Sequence, residues 1–178
     1  IWLGLVGSEM CIRDSRCAED LDTMIQSEGP DTIAAFIAEP VMGAGGVIVP
    51  PQTYWEKIQA VLSRYDILLI ADEVICAFGR TGQMFGSTTF GIKPDVITMS
   101  KQITSSYFPF SAFMMNERFY EPIADETNRI GVLGHGFTGG AHPVGAAIAL
   151  ENLRIIKERD LVGNAALRGN ELQVGLAK

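Results

Sequence analysis

The sequence predicts an α/β fold, a three-layer sandwich built on a mostly parallel sheet. Three observations predict it. Short apolar runs, TIAAFIA (32–38), DILLIAD (66–72) and DVITMS (95–100), lack polar alternation and read as buried strands, the first covered on both faces. Helical patterns alternate with them, so helices layer against the sheet. The connections are long enough for the crossovers that parallel strands require.

Each element has its own reason. Residues 1–15, IWLGLVGSEMCIRDS, show neither helical nor strand periodicity. No basic region precedes the apolar head and no small-residue cleavage site follows it, so these residues are not expected to be a signal peptide. The stretch from Val6 to Ser15 resembles a translated sequencing-adapter read, and residues 1–15 are expected to be non-native. Residues 17–27 read as a short helix with Leu21, Met24 and Ile25 on one face. GPD (29–31) breaks it ahead of the first strand. MGAGGVIVPP (42–51) is a glycine-rich loop closed by two prolines. From Tyr54 to Tyr65, Trp55, Ile58, Leu62 and Tyr65 recur along one helix face.

FGRTGQMFG (78–86) is a glycine-punctuated loop after the second strand, and PFSAFMM (109–115) reads as a fourth strand. Residues 131–142 form another glycine-rich loop that holds both histidines. Pro143 suits the first turn of a helix running to Glu158, because its missing N–H has no partner there anyway. Ala146, Ala147, Leu150, Leu153 and Ile156 are its expected core face. A last helix runs from near Leu161 to the end.

Composition narrows the function. The 178 residues carry 14 basic and 21 acidic side chains, a net charge of −7, and are 47% apolar. That is a globular balance, neither disordered nor disulfide-stapled. The acidic pI near 4.8 argues against a nucleic-acid partner, since no basic stripe offsets it, and none is expected. No run reaches the roughly 18 apolar residues of a membrane span. Cys11, Cys17 and Cys76 form no CxxC pair and fit a reducing compartment, so a cytoplasmic protein is expected. His135 and His142 lack the acid or cysteine cluster of a metal site, and no metal is expected. GAGG at 43–46 lacks dinucleotide-fingerprint spacing. The chain begins at Ile1 and ends at Lys178 within a helical pattern, so a piece of a longer chain is expected.

Each of the three apolar runs delivers an ionisable residue at its end: Glu39, Asp72 and Lys101. The carboxyl ends of parallel strands form the ligand crevice of an open sheet. Two acids and a lysine there either pair structurally or do chemistry. A desolvated lysine amine can form a Schiff base with an aldehyde. A nearby aspartate can hold a pyridinium N–H and keep that ring an electron sink. Those are two contacts that pyridoxal phosphate chemistry needs.

The blocks IAEPVMGAGGVIVPP, LLIADEVICAFGRTGQMFG, PDVITMSKQITSSYFP and HGFTGGAHPVGAAIAL resemble four successive blocks of the class-III aminotransferases. The resemblance covers Arg16 to Lys178 and is nearest the group using ω-amino donors with pyruvate-type acceptors. It implies a fold type I enzyme, of which residues 16–178 are the central part of the large cofactor-binding domain. It implies pyridoxal 5'-phosphate as cofactor. The implied reaction moves an amino group from an amine or amino acid to a 2-oxo acid, in a homodimer or dimer of dimers.

Lys101 then matches the Schiff-base lysine, and Asp72 the partner of the pyridine nitrogen. Val74 matches the residue packed on the ring face. Thr138 matches the threonine that reaches the phosphate of the neighbouring subunit's cofactor, its hydroxyl and N–H lying just before a helix N-terminus. Glu39 matches a substrate-side glutamate. The same residues also serve related aminomutases and decarboxylases.

Departures from the family pattern are Ala77 and Gln102 at common glycine positions, Ser105–Ser106 in place of Ser-Gly, and Ile75, which cannot bond the ring hydroxyl. The family's Gly-Ser phosphate cradle and ring-stacking aromatic belong upstream of the first block, and its small domain downstream of the last. This chain alone is therefore expected to be catalytically incomplete.

Overall fold

The computed structural model describes residues 8–177. The helices are α1 (Ser8–Glu28), α2 (Tyr54–Arg64), α3 (Gly86–Phe90), α4 (Glu117–Ile130), α5 (Pro143–Glu158) and α6 (Leu161–Leu176). The strands are β1 (Ala35–Ala38), β2 (Leu68–Asp72), β3 (Val96–Met99) and β4 (Ala112–Met115). They pair in the order β1-β2-β3-β4. β1, β2 and β3 are parallel, because α2 and the 73–95 excursion return the chain to the same end before each next strand. β4 runs antiparallel to β3 after a direct reversal.

Register fixes which residues share a face. Phe36 pairs with Leu69, Ala38 with Ala71, Ala71 with Ile97, and Met99 with Ala112, so these side chains point the same way. The helices pack on that face in two cores. Over β1 and β2, Ala18, Leu21 and Ile25 of α1 meet Trp55, Ile58 and Leu62 of α2 and Leu69. Over β3 and β4, Ala149 and Ile156 of α5 meet Met99, Ile103 and Phe78, with Ala112 and Val162 packed alongside. Asp72 and Thr98 lie on the opposite face by the same register, along with Ile37 and Phe113.

Three expectations are corrected. The first strand is not covered on both faces: only residues 35–38 pair, and Ile37 is 61% exposed. The first helix starts at Ser8, not near 17, and takes in residues 8–15; residues 1–7 lie outside the described residues. Elongation adds one hydrogen bond per residue once a helix exists, so it continues where apolar periodicity lapses. Its buried face is Ala18, Leu21 and Ile25, with Met24 half exposed.

The third correction is that α5 buries Gly145, Ala149 and Ile156 and leaves Leu150 69% exposed. The aromatic rings decide this. A Cβ on Gly145 would lie 2.6 Å from the Phe110 ring and 3.0 Å from Phe108, so only the glycine face can dock there. Residues 117–130, to which the sequence reading assigned no element, form α4 with Pro122 inside it. It is nonetheless capped by Asn116, whose side chain accepts from Phe119 N, and stopped by Gly131 at φ 78°.

The amino edge of the sheet is tied by Asp95, which is buried. Its carboxylate accepts from Leu69 N at 2.8 Å and from Asn116 Nδ2 at 2.9 Å, and pairs with Arg118 at 3.3 Å. Among the described residues, no helix is long and apolar enough to cross a membrane, and no cluster of three His, Cys, Asp or Glu could hold a metal.

Candidate active site

The parallel register brings three of the sequence-predicted residues to one edge. Ala38 lies beside Ala71, so Glu39 and Asp72 leave neighbouring strands at the same level. Asp72 pairs with Thr98, three residues ahead of Lys101. All three therefore sit at the carboxyl edge, opposite Asp95.

Lys101 opens a 3-10 turn, Lys101–Ile103, with a left-handed backbone at φ 44°. A long side chain in that region costs energy and persists only where the surroundings hold it. Here the holder is α5. Asn152 Nδ2 donates to the carbonyls of Gln102 (2.7 Å) and Ile103 (3.2 Å), and Ser105 Oγ donates to Asn152 Oδ1 at 2.8 Å. Ser105 and Ser106 also take positive φ, 49° and 65°, so the serines adopt the conformation that a glycine accepts without strain. Ala77 is not in that region, so it fits its place without backbone strain.

Among the described residues, the Lys101 amine has no hydrogen-bond or ion-pair partner, and Asp72 does not pair with it. Lys101 is also exposed, so the apolar wall expected around it is not supplied by the described residues. Asp72 is half-buried. Its Oδ1 accepts from Val74 N at 3.0 Å, while Oδ2 takes no bond among the described residues. An unbonded amine and an unbonded carboxylate oxygen on one sheet edge are what a ring with an aldehyde and a pyridinium N–H would satisfy. The residues present fit the cofactor.

Between Asp72 and Val74 stands Glu73, which the sequence reading passed over. Its carboxylate is fully buried and accepts three bonds: Gly86 N (2.9 Å), Ser87 N (2.6 Å) and Ser87 Oγ (2.6 Å). Its donors lie 13 and 14 residues downstream, with no local motif to announce them.

Glu39 is held in turn: its Oε2 accepts from Gly43 N at 2.9 Å. A Cβ on Gly43 would lie 2.5 Å from Ile75 Cδ1 and 3.3 Å from Glu39 Oε2, so the glycine is what lets this loop close over both. Cys76 packs beneath, buried, with its thiol 3.5 Å from the Val41 carbonyl. Burial pushes that thiol above its ordinary value, and the carboxylates of Glu73, Glu39 and Asp72 push the same way. Cys76 is thus a packed, unreactive residue.

Thr138 is not brought to this edge by any bond among the described residues. It lies in an exposed turn, four residues ahead of His142, which takes the N-cap position of α5. The helix begins at Pro143 as expected, with Thr138 in the loop ahead of it and not itself the helix cap. An apolar groove of about 730 Å³ runs along α5 beside the Lys101 turn, lined by Tyr107, Pro143, Val144, Ala147, Ile148 and Ile155. A second cleft, of about 620 Å³, lies at the amino edge against Asp95 and Arg118, away from the strand-end residues.

Comparison with known proteins matches this geometry. The sequence matches the family Aminotransferase class-III over residues 7–178, and the chain belongs to that family. Gamma aminobutyrate transaminase 1 of Solanum lycopersicum is 52% identical over 162 residues, 91% of this chain and 32% of that protein. A solved transaminase with L-alanine is 64% identical, with a TM-score of 0.93 over 98% of this chain and 41% of its own. The omega transaminase from Pseudomonas jessenii in complex with PMP is 59% identical, with a TM-score of 0.93, covering 98% of this chain and 39% of its own. The architecture is the α/β sandwich of the fold type I transaminases, and class-III aminotransferases are pyridoxal-phosphate enzymes. The chain spans about a third of the length of the curated relatives it matches.

Proposed function

We propose that this chain is the lysine-bearing part of a pyridoxal-phosphate-dependent transaminase that moves an amino group from an amine or amino acid to a 2-oxo acid. The observation that carries it is that the Lys101 amine and one Asp72 oxygen, neither bonded among the described residues, both stand at the carboxyl edge of a parallel sheet. When bound, the cofactor supplies an electron sink for the charge left on the substrate carbon.

The chain's residues divide the remaining work. Lys101 Nζ would hold the cofactor and, when free of it, would carry the proton that leaves the amine-bearing carbon. Asp72 Oδ2 accepts from the ring N–H and favours its protonated form. Val74 packs on the ring, and Glu39 lies on the substrate side. Thr138 Oγ1 would donate a hydrogen bond to the phosphate of the cofactor held by a neighbouring subunit. The exposure of Phe137 (73%), Tyr107 (83%) and Val144 around that loop and the α5 groove supports a homodimeric assembly. The names of the relatives support an ω-amino donor such as γ-aminobutyrate and a 2-oxo acid acceptor.

The test is Asp72→Asn in the complete protein. Cofactor stays bound, but both half-reactions slow severely, because the ring loses the anion that keeps it protonated. Near-normal half-reaction rates in that variant refute the assignment.

A further inference from the structure

We propose that Glu73 is a positioning residue: its buried carboxylate locks the turn that carries Asp72 and Val74, and so sets the direction of the unbonded Asp72 oxygen. The inference rests on the reading of Asp72 as the cofactor-facing carboxylate.

Glu73 is 0% exposed, and among the described residues its carboxylate bonds only neutral donors. Burying a carboxylate is costly unless hydrogen bonds replace its water. All that replacement comes from one place, the start of α3. Oε1 accepts from both Ser87 N and Ser87 Oγ, and Oε2 from Gly86 N. An apolar side chain packed in the same space would carry no such cost. A carboxyl group placed there points to a demand for direction that packing alone does not meet.

The main chain of Glu73 shows what is directed. Glu73 N donates to Thr98 O of β3 at 3.0 Å, three residues ahead of Lys101, and Glu73 O accepts from Ala77 N at 3.0 Å. The residue is pinned from β3, from its own turn and from α3. Its two neighbours carry the proposed ring contacts. Asp72 Oδ1 bonds Val74 N, so the rotation of the Asp72 carboxylate follows the peptide plane joining residues 73 and 74. Rotating that plane moves Oδ2 and the Val74 side chain together. The other titratable groups crowding this corner are Glu39, Asp72 and Cys76.

The experiment uses the complete holoenzyme and three variants: Glu73→Gln, Ser87→Ala and, as reference, Asp72→Asn. In Glu73→Gln the amide nitrogen meets an N–H donor, so at least one bond is lost and the turn resets. Ser87→Ala removes one donor and leaves the carboxylate in place. Each is read by the pH midpoint of the cofactor's visible absorbance change, by the cofactor dissociation constant, and by kcat and KM separately.

The expected result is graded. Glu73→Gln moves the pH midpoint in the same direction as Asp72→Asn, by about half a unit or more. It lowers kcat up to about 100-fold with KM little changed, as a misplaced catalytic group does. Ser87→Ala shifts both readouts the same way by less. If Glu73→Gln fails to fold, Ser87→Ala decides the matter alone. An unmoved midpoint and unchanged cofactor affinity, in variants whose apo forms merely melt earlier, reduce Glu73 to a structural residue and overturn the proposal. If Asp72→Asn itself leaves the midpoint unmoved, it is the reading of Asp72 that fails instead.

Discussion

Gly86→Ala is the sharpest probe of how the site's support is packed. Gly86 is buried at the first position of α3, and its N–H donates to Glu73 Oε2. A Cβ built there would stand 2.7 Å from Cys76 Cβ and 2.8 Å from Pro40 Cβ. Neither atom is the far end of a flexible chain, so the backbone of one or both segments must move by about 0.7 Å to reach ordinary contact. Overpacking of this kind costs about 1–3 kcal/mol. Weakening a charged hydrogen bond adds to it, since such bonds contribute about 1.5–3 kcal/mol. Only part of that bond is lost on a shift of this size, so the expected destabilisation is about 2–4 kcal/mol. Urea unfolding of the complete apoprotein measures it as a lower midpoint at unchanged slope. Because Pro40 follows Glu39 and Cys76 follows the Asp72 turn, cofactor affinity falls as well. A variant within about 0.5 kcal/mol of the parent, the range of ordinary surface substitutions, would refute the close approach of residues 40, 76 and 86.

Other outcomes follow from the same geometry. At pH 8, iodoacetamide modifies the exposed Cys17 in the folded protein but leaves Cys76 intact until urea exposes it, because burial keeps that thiol protonated; peptide mapping of early labelling at Cys76 contradicts its packing. Thr138→Ala raises the cofactor dissociation constant about 10–100-fold, the worth of one hydrogen bond to a charged group, without altering far-UV circular dichroism; unchanged affinity removes Thr138 from the phosphate site. Glu151 lies beside Arg154 on the exposed side of α5, and that bond holds its carboxyl below the usual 4.5. The stabilisation it provides is therefore present at neutral pH and fades as pH falls through 4.5 and below. Glu151→Gln should melt slightly earlier than the parent at pH 7 and together with it near pH 3; an equal gap at both pH values contradicts the pairing.

The strand ends were legible because parallel strands are written as short apolar runs that stop at a charge. Asp72 and Lys101 could be placed at one edge from that pattern alone, and the register agrees. What the pattern could not carry was long-range. Ile37 looks like a core residue in TIAAFIA, yet its face of the sheet is open, and no local signal separates the two cases. The α5 face was misjudged because Phe108 and Phe110, more than thirty residues earlier, select the glycine side. Glu73 was missed because its three donors meet it only after the 78–86 loop has folded back. Hydrophobic periodicity reports a residue's own element, whereas these three facts depend on a second element chosen by the fold.

The account turns on Lys101 as the residue that holds the cofactor. Borohydride reduction of the complete holoenzyme, followed by proteolysis and mass mapping, tests it most directly. The predicted result is a pyridoxyl group on the peptide containing Lys101, with Lys101→Ala retaining none and losing turnover by many orders of magnitude. A pyridoxyl group on any other lysine, or turnover that survives Lys101→Ala, contradicts the account.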